Sequence, residues 1–443
     1  MCDKIKVDMK KHYIKDLLQI AFPIIIGNIG FILIGAGDVL IAGRHSMQTL
    51  AAISIATAIT NCIQIFGIGL LVAVSPLLSN YRGEKKSPEK YFFPTLRFAA
   101  VLGVVVMSVI LALIPLIDKL NYEHNLAVMV KQYMFVTAFA TFGGYLHAAT
   151  KEFLQAFEIV IFPNIVTIFA VFLNLFLNVV LVFGFGFIPS LGIIGLAIAS
   201  FVVRYFMGIV LLIYCFKIMK FENCKDFGYY KQLIKIGLPI SLAIVTEFVA
   251  FNIIAVLMGR VAGVYAAAQN LIQTMTTFSF MIPLAISNAI AVKVGYANGA
   301  KDYEDLKNYS QKGTLVCIGF MVFSSVIFAL FPKFLVGLFT NDTELITICV
   351  PVIYLLAGFQ VFDGLQVALS GICKGIKSTK IVLIANFTAY WLLSIPLGCI
   401  LAFKFNMELM GFWISLIVAA IILCSIMLYM LKRYFKKLQT ESV

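Results

Sequence analysis

Apolar stretches of roughly 20 or more residues recur from one end of this chain to the other, the length an α-helix needs to cross about 30 Å of hydrocarbon. Twelve can be marked out, at approximately 17–42, 50–78, 93–117, 126–150, 160–187, 192–218, 233–258, 264–292, 312–335, 345–371, 380–402 and 410–432. Lipid offers the backbone no hydrogen-bond partner, so the expected fold is all-α and integral to the membrane, with twelve transmembrane helices. Composition agrees, because 62% hydrophobic and 12% charged residues leave too little polar material to wrap a soluble domain. The first apolar run follows a basic stretch as a secretory signal would. It is too long for one and has no small-residue cleavage site, so it is kept as the first helix.

A formal net charge of +13 raises the question of nucleic acid as a partner. The distribution of the charge argues against one. Lys4, Lys6, Lys10, Lys11 and Lys15 precede the first span, and Arg82, Lys85, Lys86 and Lys90 follow the second. Lys217, Lys220, Lys225, Lys231 and Lys235 surround the connection between the sixth and seventh. Lys293, Lys301, Lys307 and Lys312 follow the eighth, Lys374, Lys377 and Lys380 the tenth, and Lys432, Arg433, Lys436 and Lys437 the last. The intervening loops are nearly bare, and by the positive-inside bias both termini are expected in the cytoplasm. The nine cysteines are scattered, mostly within spans, without C-x-x-C or metal spacing, and read as small apolar fillers.

The chain repeats itself. Laying residues 17–85 over 233–301 without a gap brings Leu17, Ile20, Pro23 and Ile24 onto Leu233, Ile236, Pro239 and Ile240. Gly43-Arg44 then meets Gly259-Arg260, Ala51-Ala52 meets Ala267-Ala268, Gly83 meets Gly299, and the same shift sets Gly195 on Gly411. Two six-helix units with an even helix count enter the membrane from the same side, so an axis along the membrane normal should relate them, as in many secondary transporters. The expected division is a first lobe at 1–218, a linker at 219–232 and a second lobe at 233–443.

Of 21 acidic residues, only Asp38, Glu247 and Asp363 lie well inside the spans. A carboxylate in hydrocarbon is costly, so such residues usually face an interior cavity and hold a cation or a proton. Arg204 is the one base expected within a span, too few to neutralise three acids. Glu247 and Asp363 share the second lobe; if they converge, burial opposes their charge while a bound Na⁺ favours it, the competition a coupling site needs. Hard oxygen ligands suit Na⁺, and Thr246 could add another. Asp38 belongs to the first lobe, and its repeat position is Ile254. Asn174 and Asn178, four apart, share one helix face and could meet Asp38 or simply bond between helices. His147 reads as a packing residue. Forty Phe, eighteen Tyr and sixteen Met supply surface for lipophilic or cationic ligands.

These residues resemble the multidrug and toxic compound extrusion (MATE) transporters over essentially the whole chain. The likeness rests on "AFPIIIGNIGFILIGAGDVLIAGR", "SPLLSNYRGE" with its echo "VKVGYANGA", "LNLFLNVVLVFG", "GLPISLAIVTEFVAF", "VFDGLQVALSGICKGIK" and "WLLSIPLG". It resembles the NorM-like branch in having Glu247 and Asp363. The resemblance implies a cation-coupled antiporter, driven by Na⁺ or H⁺ and needing no other cofactor, that exports hydrophobic or cationic compounds by alternating access. By the same likeness Glu247 and Asp363 form the cation site, with Na⁺ as the metal ion, and Asp38, Asn174 and Asn178 form a polar cluster in the first lobe. Where the family often has a Tyr one turn before the tenth-helix acid, this chain has Phe359, which keeps a ring face and loses the hydroxyl. The expected partners are the bilayer and small organic cations or amphipathic compounds, the expected state a monomer, and the expected place the inner membrane of a prokaryote. A lipid-linked oligosaccharide flippase of the same wider superfamily is the alternative; it calls for several cavity Arg or Lys, where the apolar spans hold Arg204 and three acids. No enzyme motif such as H-E-x-x-H is present, so catalysis is not expected.

Overall fold

The computed structural model describes residues 12–186, 188–222 and 224–441, with side chains described to residue 436. Lys4, Lys6, Lys10 and Lys11, and the side chain of Lys437, lie outside that set. Among the described residues, twelve helices are long and apolar enough to cross a membrane. They are α1 (Tyr13–His45), α2 (Met47–Gly83), α3 (Pro88–Leu120), α4 (His124–Ala156), α5 (Ile161–Phe183), α6 (Gly192–Ile218), α7 (Phe227–Gly259), α8 (Gly263–Ala300), α9 (Tyr303–Leu330), α10 (Thr343–Gly375), α11 (Lys380–Lys404) and α12 (Glu408–Lys436).

Helices overrun the apolar segments that announced them. Helix α4 continues to Ala156 and α10 to Gly375, and α7 begins at Phe227, so the connection between halves is shorter than 219–232. Hydropathy marks the hydrocarbon slab, whereas Lys, Glu and Gln are good helix formers that carry the backbone onward. Starts are set by side-chain caps: Ser46, Asp226, Asp302 and Asp342 each accept a backbone N–H from the first turn of α2, α7, α9 and α10.

Helices α1–α6 and α7–α12 form two lobes. Ile53, Met134, Ala138 and Leu196 are at the centre of the first, and Phe359, Ile372, Trp413 and Leu416 at the centre of the second. The outer surface is apolar as well, with Val101, Phe172 and Phe176 among the large side chains turned outward, Phe172 68% exposed. Lipid is as apolar as those side chains, so association within the membrane depends on close packing and hydrogen bonds, and small residues at crossings let backbones touch.

One close backbone crossing joins the lobes. A Cβ on Gly83 would lie 2.1 Å from the carbonyl oxygen of Tyr296, and one on Gly299 would lie 2.0 Å from that of Asn80. Gly83 and Gly299 are repeat mates, and so are Asn80 and Tyr296, so the contact is self-complementary and lies on the two-fold axis expected from the repeat. It sits at the end of the bundle where α1 begins and α12 finishes, the terminal end. Cross-lobe hydrogen bonds gather there. The Asn80 amide donates to Gly375 O at 2.8 Å and accepts from Asn298 at 2.7 Å, while Lys293 reaches Glu158 at 2.6 Å and Lys377 reaches Glu84 at 3.4 Å. Nearer mid-membrane the Ser241 hydroxyl donates to Phe66 O, and the absent side chain of Gly69 makes room for Ser241.

Candidate functional site

In the first lobe, the four-residue spacing of Asn174 and Asn178 on α5 aims both amides at Asp38 on α1. Their side-chain nitrogens donate to Asp38 Oδ1 at 3.2 and 2.6 Å, and Ser200 of α6 donates to Oδ2 at 2.9 Å. Three donors satisfy the carboxylate without a base. Arg204, one turn beyond Ser200, donates instead to Gln64 Oε1 at 3.1 Å, and Gln64 passes the chain on to Thr141 at 3.0 Å. Among the described residues Asn178 Oδ1 is buried without a partner.

The second lobe brings Glu247 of α7 and Asp363 of α10 to one cavity of about 300 Å³. Phe251, Phe280 and Phe359 form part of its wall, and Asp363 is 2% exposed. Helix α11 completes the site. Its Tyr390 hydroxyl lies 3.5 Å from Glu247 Oε1 and 3.2 Å from Gln366 Oε1, and its single proton can serve only one of them at a time. The Asn386 amide lies 3.5 Å from Glu247 Oε2, and its own Oδ1 is buried without a partner among the described residues. Residues Phe387–Ser394 take a π-helical path, a wider turn common where function needs a side chain re-aimed. Trp391 in that turn donates to Thr246 O at 3.1 Å, one residue before Glu247.

Two carboxylates, the Gln366 and Asn386 amide oxygens and a phenol make a hard-oxygen donor set that fits a monovalent cation. Among the described residues no group of three His, Cys, Asp or Glu is placed to bind a metal ion. The Asn386 oxygen without a partner is the observation that most favours a cation guest here. Phe359 turns its ring edge to Trp413, centroids 5.7 Å apart at 90°, so it shapes the cavity by packing.

A second cavity, of about 350 Å³, lies between the lobes, lined by α1, α2, α4, α6, α7, α8 and α10. Ile244, Leu284 and Lys374 belong to the walls of both cavities, so the two adjoin. Neither is lined by Asp38, Asn174 or Asn178.

A family model described as MatE matches residues 23–180 and 239–400. The chain belongs to the MatE family. The matched blocks of this MatE protein begin at repeat mates, Pro23 and Pro239, and fall one in each lobe. A probable multidrug resistance protein NorM from Rhizobium meliloti is 29% identical over 448 residues, 96% of this chain and 94% of its own length. Another, from Bacillus licheniformis, is 26% identical over 416 residues, 91% and 92%. Among solved structures, a MATE protein in complex with MaL6 superposes with a TM-score of 0.90 at 16% identity, covering 97% of this chain and 98% of that one. The eukaryotic MATE transporter AtDTX14 gives 0.85 at 20% identity, covering 97% and 99%.

Sequence reasoning placed this MatE protein's carboxylates and missed several neighbours. Lys151, Glu152 and Lys374 lie beyond the apolar segments yet inside α4 and α10, and all three line the cavity between the lobes. Hence Arg204 is not the only base within a helix that crosses the membrane, nor are Asp38, Glu247 and Asp363 the only acids. His147, read as a packing residue, has a buried Nε2 without a partner on the same cavity wall. Thr246 is absent from the wall, and its carbonyl is engaged by Trp391. Tyr390 and Asn386 lie just before "WLLSIPLG"; the π-helical turn that aims Tyr390 leaves no mark in hydropathy.

Proposed function

We propose that the protein is a cation-coupled antiporter, working as a monomer in the cytoplasmic membrane with both termini inside, that exports hydrophobic and organic-cationic drugs by alternating access. The observation carrying this reading is that Glu247 and Asp363, from different helices, meet in one buried, aromatic-walled cavity. Two carboxylates sharing so small a space repel one another, and Na⁺ or H⁺ relieves the repulsion. A cationic drug offers the same relief, so ion and drug compete, and each weakens the other by the same factor. Outward-facing protein takes up the ion and releases drug; release of the ion inside restores drug affinity. The cross-lobe contacts at the terminal end favour a state closed towards the cytoplasm. The names of the relatives, multidrug resistance proteins, support the substrate class.

The test is uptake of a fluorescent organic cation into inverted membrane vesicles under an imposed Na⁺ gradient and, separately, a pH gradient. Glu247→Gln and Asp363→Asn should each reduce gradient-driven uptake to the vesicle background while the purified protein still elutes as a folded species. Full uptake in either variant removes that carboxylate from the coupling mechanism.

A further inference from the structure

A groove of about 870 Å³ opens on the outer surface at the terminal end, where α1 of the first lobe meets α9 of the second. Two tyrosines seat the helices on one another. Tyr13 of α1 donates to Asp305 of α9 at 3.1 Å, Tyr309 of α9 donates to Asp16 of α1 at 3.0 Å, and the two rings meet edge to face with centroids 4.9 Å apart. Both of these acids are turned to phenols, and the groove wall itself holds no acid. It does hold Lys15 from α1 and Lys312 from α9, both exposed and neither in an ion pair or hydrogen bond among the described residues. The helices run close where the lysines emerge, since a Cβ on Gly313 would lie 3.4 Å from Leu17 Cδ1. Below the lysines the wall turns apolar. Lys15, Leu18 and Phe22 fall at i, i+3 and i+7 on one face of α1, which carries that face about 10 Å towards mid-membrane. Leu18 is 42% exposed and Phe22 64%, so this floor faces hydrocarbon. A lysine at the rim of a membrane helix is ordinary; two from different lobes, above one apolar floor and without a counter-charge on the wall, make a site for an anion with an apolar tail.

We propose that this groove binds one anionic phospholipid, its phosphodiester held between Lys15 and Lys312 and an acyl chain laid along Leu18 and Phe22. A headgroup at the basic rim with its chains beneath reproduces the order of the groove from rim to floor, and basic pockets between transmembrane helices are where anionic headgroups settle. A zwitterionic lipid brings an ammonium of its own to the lysines and gains less from them. A soluble anion would meet the lysines and leave the floor bare. Because α1 and α9 belong to different lobes, one lipid spans the seam and adds a tie between the lobes to those the protein makes. The site is separate from both cavities and from the coupling mechanism.

Native mass spectrometry of the full chain, titrated with phosphatidylglycerol and separately with phosphatidylcholine of the same acyl chains, reads the affinity of the first lipid bound. Wild type should hold the anionic lipid about 25-fold more tightly than the zwitterionic one, about fivefold for each lysine. Lys15→Gln and Lys312→Gln should each cut that preference about fivefold, and together remove it. Lys231→Gln, at the repeat mate of Lys15 and outside the groove, should leave it unchanged. Equal affinity for the two lipids in wild type overturns the proposal, as does a preference kept by the folded double variant; the single variants decide if the double one does not fold. A loss as large in Lys231→Gln assigns the attraction to the basic surface at large and overturns it too. Displacement of the lipid by glycerol phosphate would mark a site for soluble anions, and a dimer that dissolves in the double variant would mark a contact between two copies of the chain; either result sinks the lipid site.

Discussion

At the residue scale, the two lobes treat buried carboxylates differently. Asp38 accepts from Asn174, Asn178 and Ser200 at 3.2, 2.6 and 2.9 Å, although the neighbouring Asn178 Oδ1 has no partner among the described residues. Glu247 has only long contacts, at 3.5 Å, from Tyr390 and Asn386, and its partners are under-served in turn. A loosely held carboxylate beside a second one is better placed to exchange an ion. Tyr390→Phe keeps the ring packed on Phe251, 6.1 Å away, and deletes the proton that Glu247 and Gln366 share. The coupling-ion concentration for half-maximal drug displacement should shift by about tenfold, the scale of a hydrogen bond to a charged group; no shift would exclude the phenol from the site. The carboxylates were legible in the sequence because charge in an apolar run is conspicuous. Tyr390 was not, since a tyrosine in a membrane helix is unremarkable until its turn is known.

At the element scale, where a helix ends decides what it carries. Apolar runs located all twelve helices, yet Lys151, Glu152 and Lys374 lie past the ends of those runs, and of the three only Lys374 was named, among the charges of a connection. The extra turn of α4 and of α10 makes them wall residues, so the sequence reading undercounted the cationic side of the cavity. The same scale governs the α2–α8 crossing. Tyr296 O and Asn80 O approach Gly83 and Gly299 closely, and these atoms belong to backbone, which cannot swing aside. Gly299→Val should therefore force the helices apart, at a cost of about 1–3 kcal/mol typical of overpacking, read as a lowered thermal midpoint of the purified protein. Gly319, with nothing near its absent Cβ, is the matched control; equal effects at both positions would dismiss the crossing as a constraint.

At the scale of the whole molecule, the contacts at the terminal end tie one lobe to the other. Glu84 of the first lobe meets Lys377 of the second at 3.4 Å and its near neighbour Lys86 at 2.6 Å. Burial pushes the Glu84 carboxyl up, but the two ammonium groups outweigh it and hold the group below its ordinary value. A lowered folded value means the cross-lobe contact contributes fully above the ordinary carboxylate pKa of about 4.3, and is lost only as pH falls through the lowered one. Spin labels on the two lobes at this end should report a Glu84-dependent change only below about pH 4.3, with none between pH 6 and 8; Glu84→Gln should remove the acid transition. A Glu84-dependent change near neutrality would contradict this assignment.

The self-complementary touch of Gly83 and Gly299 has a consequence for the history of the chain. A single polypeptide here contains the kind of joint that two identical subunits make across a dyad, now closed by a short covalent tether between α6 and α7. At that joint a bulky replacement in either half presses on the backbone of the other, so the two copies remain answerable to one another. Away from it they are not, and the halves have diverged there: Asp38 with its ring of donors stands opposite Ile254, and the paired acids of the second half have no equals in the first.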